Sequence, residues 1–204
     1  MANPLSPDNR RLGDELLPGE INRPDPPAPR SARMAQIVEA ARRLLEDEGP
    51  GSLTMRRLAE ELGMQAPSLY KHVPGKTGVE LAIIEDVLGD IGEVSHRAIH
   101  QPGPDGPLFA LVNAYRRHSL AHPSLYRLAT GGPLLRDQLP SGLEEWAGNP
   151  WFVVTGDPIL SQALWSFAHG MVILELDDRY PPGSDLDAIW RSGAAAFDHS
   201  VHHR

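Results

Sequence analysis

Gln65, Ser68, Tyr70, Lys71 and His72 fall within one short stretch of the 204-residue chain, and each carries a group that can bond a phosphate oxygen or a base edge. Glutamine can bond adenine in a bidentate way, and lysine, tyrosine and histidine can anchor a phosphate backbone. Ala66 and Pro67 add apolar contact suited to thymine methyls. Thr54 and Arg56 stand just upstream, where a helix start offers free N–H groups and a favourable dipole to a phosphate. Lys76 closes the set. The chemistry on offer is recognition of double-stranded DNA, not bond breaking.

Such side chains need a rigid frame, and residues 54–76, TMRRLAEELGMQAPSLYKHVPGK, have the spacing of a helix-turn-helix. The small Ala59 lets two helices cross closely. Gly63 can take the left-handed conformation that ends the first helix. Leu58, Leu62 and Leu69 face inward. Ser31 and Thr54 are caps for helices over about 31–48 and 54–62. A third helix is expected over about 66–72, with Pro67 tolerated in its first turn. A long fourth begins near Lys76 and runs to the His96–His100 region.

The rest of the chain reads as helices with apolar residues at helical spacing. They are expected over about 108–121, 124–130, 158–180 and 185–201, with an irregular Gly/Pro-rich stretch from about 131 to 157 that carries Trp146, Trp151 and Phe152. Residues 1–30 contain seven prolines and little periodicity, which predicts an exposed, flexible arm. Its Arg10, Arg11 and Arg30 could touch a phosphate backbone. The expected division is an arm at 1–30, a helix-turn-helix domain at 31–78 and a helical effector-binding and dimerisation domain at 79–204. The fold class is all-α.

Net charge is −8, an odd figure for a DNA binder until it is divided. Residues 1–30 carry 4 basic and 5 acidic side chains, residues 31–76 carry 7 and 6, and residues 77–204 carry 8 and 16. The acidity lies away from the reading head, where it disfavours non-specific binding to nucleic acid. The absence of cysteine excludes disulfides, thiolate zinc sites and a cysteine redox sensor. No apolar run reaches the length of a membrane span, and no hydrophobic signal core opens the chain, so a cytoplasmic protein without a membrane partner is expected.

IVEAARRLLEDEG, SLTMRRLAEELGM and APSLYKHVPGK, followed by an apolar fourth helix, resemble the TetR family of one-component bacterial transcriptional regulators over about residues 33–85. The segment WSFAHGMVILELDDRY is similar to a Trp-x-x-x-His-Gly segment in the regulatory domains of one TetR subgroup. The resemblance implies a homodimer that binds a palindromic operator through Thr54, Arg56, Gln65, Ala66, Pro67, Ser68, Tyr70, Lys71, His72 and Lys76. It also implies a variable body holding a small-molecule effector of unknown identity, and a four-helix dimer interface from the last two helices. Residues for a mostly apolar pocket are Phe109, Tyr115, His118, Trp146, Trp165 and His169.

Two readings compete with a ligand-released repressor. One is a DNA-binding module without a ligand switch. The other is an all-α enzyme, metal-assisted through His118 and His122, whose i, i+4 spacing permits metal binding. His96 and His100 repeat that spacing, but neither pair comes with a recognisable carboxylate pattern. No phosphate-cradling Gly loop or nucleophile elbow appears. Glu144–Glu145 and Asp177–Asp178 read as solvated faces, so neither an enzyme nor a cofactor is expected.

Overall fold

The computed structural model describes residues 16–25 and 28–203. Among them the secondary structure is helical, with no strand. The helices are α1 (Ala32–Glu48), α2 (Met55–Glu61), α3 (Ala66–Leu69), α4 (Lys76–His100), α5 (Pro107–Ala121), α6 (Pro123–Thr130), α7 (Leu143–Thr155), α8 (Pro158–Leu176) and α9 (Leu186–His202). The all-α expectation holds, with an N-terminal helix-turn-helix and a helical C-terminal part.

Local sequence explains the first elements. Ser31 Oγ accepts from Met34 N at 3.2 Å and caps α1. Thr54 Oγ1 does the same for α2, accepting from Arg57 N at 3.1 Å. At the end of α2, Met64 N donates to Ala59 O and Gly63 N to Glu60 O, with Gly63 at φ 61°. This paired closure needs a left-handed residue, which glycine adopts without a Cβ penalty. Leu58 and Leu69 are fully buried and Ala59 nearly so, while Leu62 is half-buried. The third helix is shorter than its expected span to residue 72. Beyond Leu69 the chain continues as tight turns, with Lys71 N donating to Ser68 O and His72 N and Val73 N both donating to Leu69 O.

α4 carries the chain out of the reading head and forms the spine of the body, packing along α5 and α7 and touching α6. A domain boundary at 78/79 would fall inside its first turn. Val79, Ala82, Ile83, Val87, Ile91 and Ile99 line its buried face. The head also touches the body directly: Glu46 of α1 accepts from Leu125 N at the start of α6, at 3.0 Å.

The expectation of an irregular stretch reaching residue 157 was wrong. Residues 143–155 form α7, with Trp146, Ala147, Pro150 and Trp151 buried. Gly148 and Pro150 hide this helix from a propensity reading, because proline removes the N–H that should bond the carbonyl four residues back. That carbonyl belongs to Trp146, and His96 of α4 fills the gap, with its Nε2 3.0 Å from Trp146 O. A Cβ at Gly92 would overlap the Trp146 ring, so glycine lets α7 lie close on α4.

The proline-rich segment departs from expectation too. Residues 16–25 are not a free arm; they lie against α4 and α7. The Glu20 side chain is 3% exposed and meets His96 and His100. Ile21 N donates to Asn149 Oδ1, and Asn149 Nδ2 donates to Gly19 O. Arg30 is not available as a phosphate anchor, because it is bound to Asp86 at 2.7 Å, Glu85 at 3.1 Å and Ala82 O at 2.9 Å. Charged residues among the prolines supply the docking, a signal that apolar periodicity does not register. Arg10 and Arg11 lie outside the described residues.

α8 ends at Leu176 rather than 180; Asp178 turns the chain at φ 48°. Its length and apolar composition would suffice to cross a membrane, contrary to the sequence reading, with mean hydropathy 1.3 over its best window. Its buried seam of Leu160, Leu164, Ala168 and Val172 packs inside the body instead. Ile159, Trp165 and Leu174 remain outside, at 77%, 43% and 42% exposure. Gly193 of α9 allows a close crossing, since a Cβ there would overlap Phe167 of α8. Gly170, by contrast, has nothing near its missing Cβ within the chain, so no helix contact inside the described chain accounts for it.

Candidate functional site

The reading head presents one outward face. Gln65, Pro67, Lys71 and His72 are exposed, as is Tyr70 at 58%. Ala66 and Ser68 are half-buried along the same short helix. Thr54, Arg56 and Lys76 flank it and are exposed. All ten residues expected to contact DNA therefore belong to the α2–α3 unit or its borders.

Charge on this face is partly held in reserve. Arg56 pairs with Glu60 at 3.0 Å and Lys76 with Glu80 at 3.4 Å, both one helical turn apart. Such exposed pairs contribute about 0.3–0.5 kcal/mol, so a phosphate can displace the carboxylate cheaply. Lys71 has no ion-pair partner among the described residues. Arg57 is different: it joins Glu48 at 2.5 Å and Glu61 at 3.1 Å, bracing α2 against the end of α1. Its guanidinium is held above the usual value by the bond to Glu48, and the Glu48 carboxyl is drawn below its usual range by the same bond.

The six residues expected to line one pocket are not brought together. Tyr115, Trp165 and His169 converge; the other three lie in separate places. Phe109 borders a cavity of about 590 Å³ between α5, α9 and the 101–105 loop. Trp146 stacks on His96 against the docked N-terminal segment. His118 pairs its ring with His122 at 5.2 Å, and burial followed by the neighbouring His122 pushes it below the usual histidine value. Among the described residues no group of three or more metal-ligating side chains forms, so the His118–His122 metal reading has no third ligand there.

The convergent group is a polar relay in an apolar interior. Tyr115 and Tyr126 hydroxyls lie 2.9 Å apart, and Tyr126 Oη is 2.6 Å from His169 Nδ1. Trp165 stacks on His169 with centroids 5.6 Å apart. Burial pushes the Tyr115 hydroxyl up to about 12 and raises that of Tyr126 further. Burial also lowers His169, which favours a neutral ring. A neutral ring has one donor and one acceptor nitrogen, so the relay can run in either direction. Ser95 of α4 and Ser119 of α5 are fully buried, and their hydroxyls have no partner among the described residues.

Tyr126 was not singled out by sequence reasoning. A lone tyrosine in SLYRLAT carries no periodic signal beyond core packing. Ser95 and Ser119 were likewise invisible, because only the packed helices show that their hydroxyls are unmet among the described residues.

Three comparisons place this geometry among known proteins. Residues 37–83 match the pattern of bacterial regulatory proteins, tetR family. The HTH-type transcriptional regulator Rv0681 of Mycobacterium tuberculosis is 32% identical over 179 residues, covering 81% of this chain and 82% of that protein. The transcriptional repressor DrrR1 of Streptomyces coeruleorubidus is 33% identical over 137 residues, 64% of this chain, which spans about half (48%) of that repressor. Among solved structures, a variant TetR from Acinetobacter baumannii in complex with minocycline aligns at TM-score 0.59 and 21% identity, over 82% of this chain and 95% of its own. That likeness concerns the fold. The length and identity of the Rv0681 match, together with the family pattern over the reading head, settle the assignment: this chain belongs to the TetR family of helix-turn-helix transcriptional regulators.

Proposed function

We propose that the protein is a homodimeric repressor that holds a pseudo-palindromic operator and releases it on binding a mostly apolar small molecule. The observation that carries the reading is the exposed face of Gln65, Pro67, Tyr70, Lys71 and His72, on α3 and the turns that flank it, whose inner side is fixed by buried Leu69. The reading head comprises 31–78 and the regulatory body 79–204. Gln65, Ala66 and Pro67 read base edges; Ser68 reaches base or backbone; Thr54, Arg56, Tyr70, Lys71, His72 and Lys76 hold phosphates. Two heads related by a two-fold axis require half-sites roughly 34–36 Å apart if both enter successive major grooves. A regulator of this kind works where the DNA is, in the cytoplasm.

The open faces of α8 and α9 support the dimer. Ile159, Trp165 and Leu174 are exposed on α8, Ala195 and Ala196 on α9, and Gly170 leaves room for a second chain. Obligate interfaces commonly bury about 2,000 Å² or more. A monomeric mass by light scattering at micromolar concentration would sink the dimer.

The effector site centres on Tyr115, Tyr126 and His169, with Trp165 at its rim. A few polar handles in an apolar interior suit a largely apolar ligand. The Acinetobacter protein, which shares this fold, was solved with a small molecule, minocycline. Phe109, His118 and Trp146 are left out of this site, since each lies elsewhere. α4 and the Glu46–Leu125 contact are the routes to the head. A ligand must favour one setting of the heads, because equal affinity for both shifts nothing. Selection from a random DNA library tests the DNA-binding part of the reading; it should return an inverted repeat, and an asymmetric or absent motif would defeat it. A DNA-binding module without a switch is the second reading. Ligands that raise thermal stability yet leave operator affinity unchanged would favour it.

A further inference from the structure

Residues 17–25 run along α4 and α7 without belonging to either the reading head or the relay, and their contacts are too specific for a passive tail. Glu20 is the centre. Its carboxylate accepts from Leu17 N at 2.8 Å, lies 2.5 Å from His96 Nδ1, and lies 2.9 Å from His100 Nε2. His96 also reaches Trp146 O through Nε2. Both partners of His96 are acceptors, so both ring nitrogens must donate and the ring is charged in this arrangement. Trp146 stacks on that ring and also lies under the Arg23 guanidinium, 4.9 Å from its centroid. Arg23 in turn pairs with Glu93 of α4. Asn149 of α7 grips the backbone on either side of Glu20.

The segment then leads, by way of Arg30 on Asp86 and Glu85, directly into α1. The reading head is thus tethered to the body at both its entrance and its exit. α4 is the exit. The N-terminal segment is the entrance, and it is fastened to α4 at Asp86, Glu93, His96 and His100.

We propose that residues 17–25 form a charge-locked strap that fastens α4 to α7, and that Glu20 is a positioning residue for operator binding through it. The proposal rests on the DNA-binding reading for its function, though not for its existence. With the strap fastened, α4 has one setting and the two heads arrive pre-spaced. Loosening it lets the heads wander, and binding must then order them. The strap is also a proton sensor by construction. Burial alone would raise the Glu20 carboxyl, but the Leu17 N–H and the two histidines bring it below its usual value, so it stays ionised near neutrality. His96 needs both ring protons to complete the lock, whereas His100 needs only the one on Nε2. The other charges facing them are Arg23 from the strap, which opposes their protonation, and Glu93 from α4, which neutralises Arg23; α7 contributes the Trp146 carbonyl and ring. Loss of one proton from His96 costs it one of its two bonds, to Glu20 or to Trp146 O, and so loosens the strap.

Two measurements test this. Amide hydrogen exchange of the free full-length protein should show residues 17–25 and 91–100 protected at about pH 6, and both faster in E20Q. Rapid exchange of 17–25 in the wild-type protein would overturn the strap without reference to DNA. Operator affinity is then read by anisotropy on a fluorescein-labelled duplex carrying the inverted repeat recovered by selection, at fixed ionic strength. E20Q should bind about fivefold more weakly at pH ~6, the lower end of usual coupling between sites, and the gap should close by pH ~8. The head is the same in both proteins, so the gap between them is the readout. N149A, which loosens the backbone grip while keeping every charge, should speed exchange in 17–25 but preserve the pH slope. A gap that is absent, reversed or unchanged with pH overturns the proposal. Failure of the wild-type protein to bind any selected duplex defeats the DNA-binding reading and leaves the strap to the exchange result.

Discussion

The reading head and the regulatory body are built by different rules. In the head, each decisive contact joins residues close in sequence. Thr54 caps three residues on, Gly63 closes α2 within five, and Arg57 reaches Glu61 one turn away. In the body the decisive contacts cross long spans: Glu20 to His96, His96 to Trp146, Tyr126 to His169, Arg116 to Glu175. The head carries its instructions locally and can be recognised as a motif. The body is specified by seams between distant helices, which leaves its lining free to differ while its architecture stays the same.

Substitutions can sharpen or break this contrast. The largest effect is expected from Leu58→Ala, which empties a fully buried site in the head. It should cost about 2–5 kcal/mol and abolish DNA binding. Dimer mass by light scattering should be unchanged. Loss of the dimer as well would show that head and body fold as one unit. In the body, Gly92→Leu drives a side chain into Trp146 and should destabilise by about 1–3 kcal/mol by chemical denaturation. A neutral result would mean that the α4–α7 seam can give.

Smaller effects concern chemistry rather than packing. Gln65→Ala should relax preference at a single base pair, at about 1–3 kcal/mol, in a binding-site selection. Lys71→Ala should leave stability within about 0.5 kcal/mol, weaken all sequences alike and reduce the salt slope by about one. A sequence-selective loss at Lys71 would exchange the roles given to these two residues. The smallest effect is a pH dependence of stability. Burial lowers His118 and His169 in the folded protein, so the unfolded chain binds protons more readily there. Their contribution is full above the unfolded histidine value of about 6.5 and is lost as pH falls toward the lowered folded values. The denaturation midpoint should drop less on acidification in H169Q than in the wild-type protein.

The sequence made the head legible down to single residues. Ser31, Thr54, Ala59, Gly63 and Leu69 all stand in their expected roles. Only the reach of the third helix differs, because residues 70–73 close as tight turns onto Ser68 O and Leu69 O, which helical spacing does not distinguish from a further helical turn. The helices at 107–121, 123–130, 158–176 and 186–202 were visible from periodicity. α7 was not, since a glycine and a proline outweighed two tryptophans. The docked N-terminal segment escaped for a related reason: its affinity for the body resides in Glu20, Arg23 and Arg30, and paired charges look the same in sequence as solvated ones. The pocket was half legible. Tyr115, Trp165 and His169 converge, but aromatic residues in general mark a core before they mark a site, and Phe109, His118 and Trp146 fill or border other parts of it.

The bond from His96 to Trp146 O has a consequence for the order in which the body assembles. An isolated α7 would lack one of its own backbone bonds at Pro150, and a helix this short is marginal in water even with its ladder complete. Its free Trp146 carbonyl finds a protein partner only when α4 arrives with the imidazole. Helix formation and docking become a single event at this seam, and the barrier to it should depend on a contact spanning fifty residues rather than on local propensity. Replacing Pro150 with alanine would let α7 close its own ladder and separate the two steps, leaving the imidazole without a task in folding.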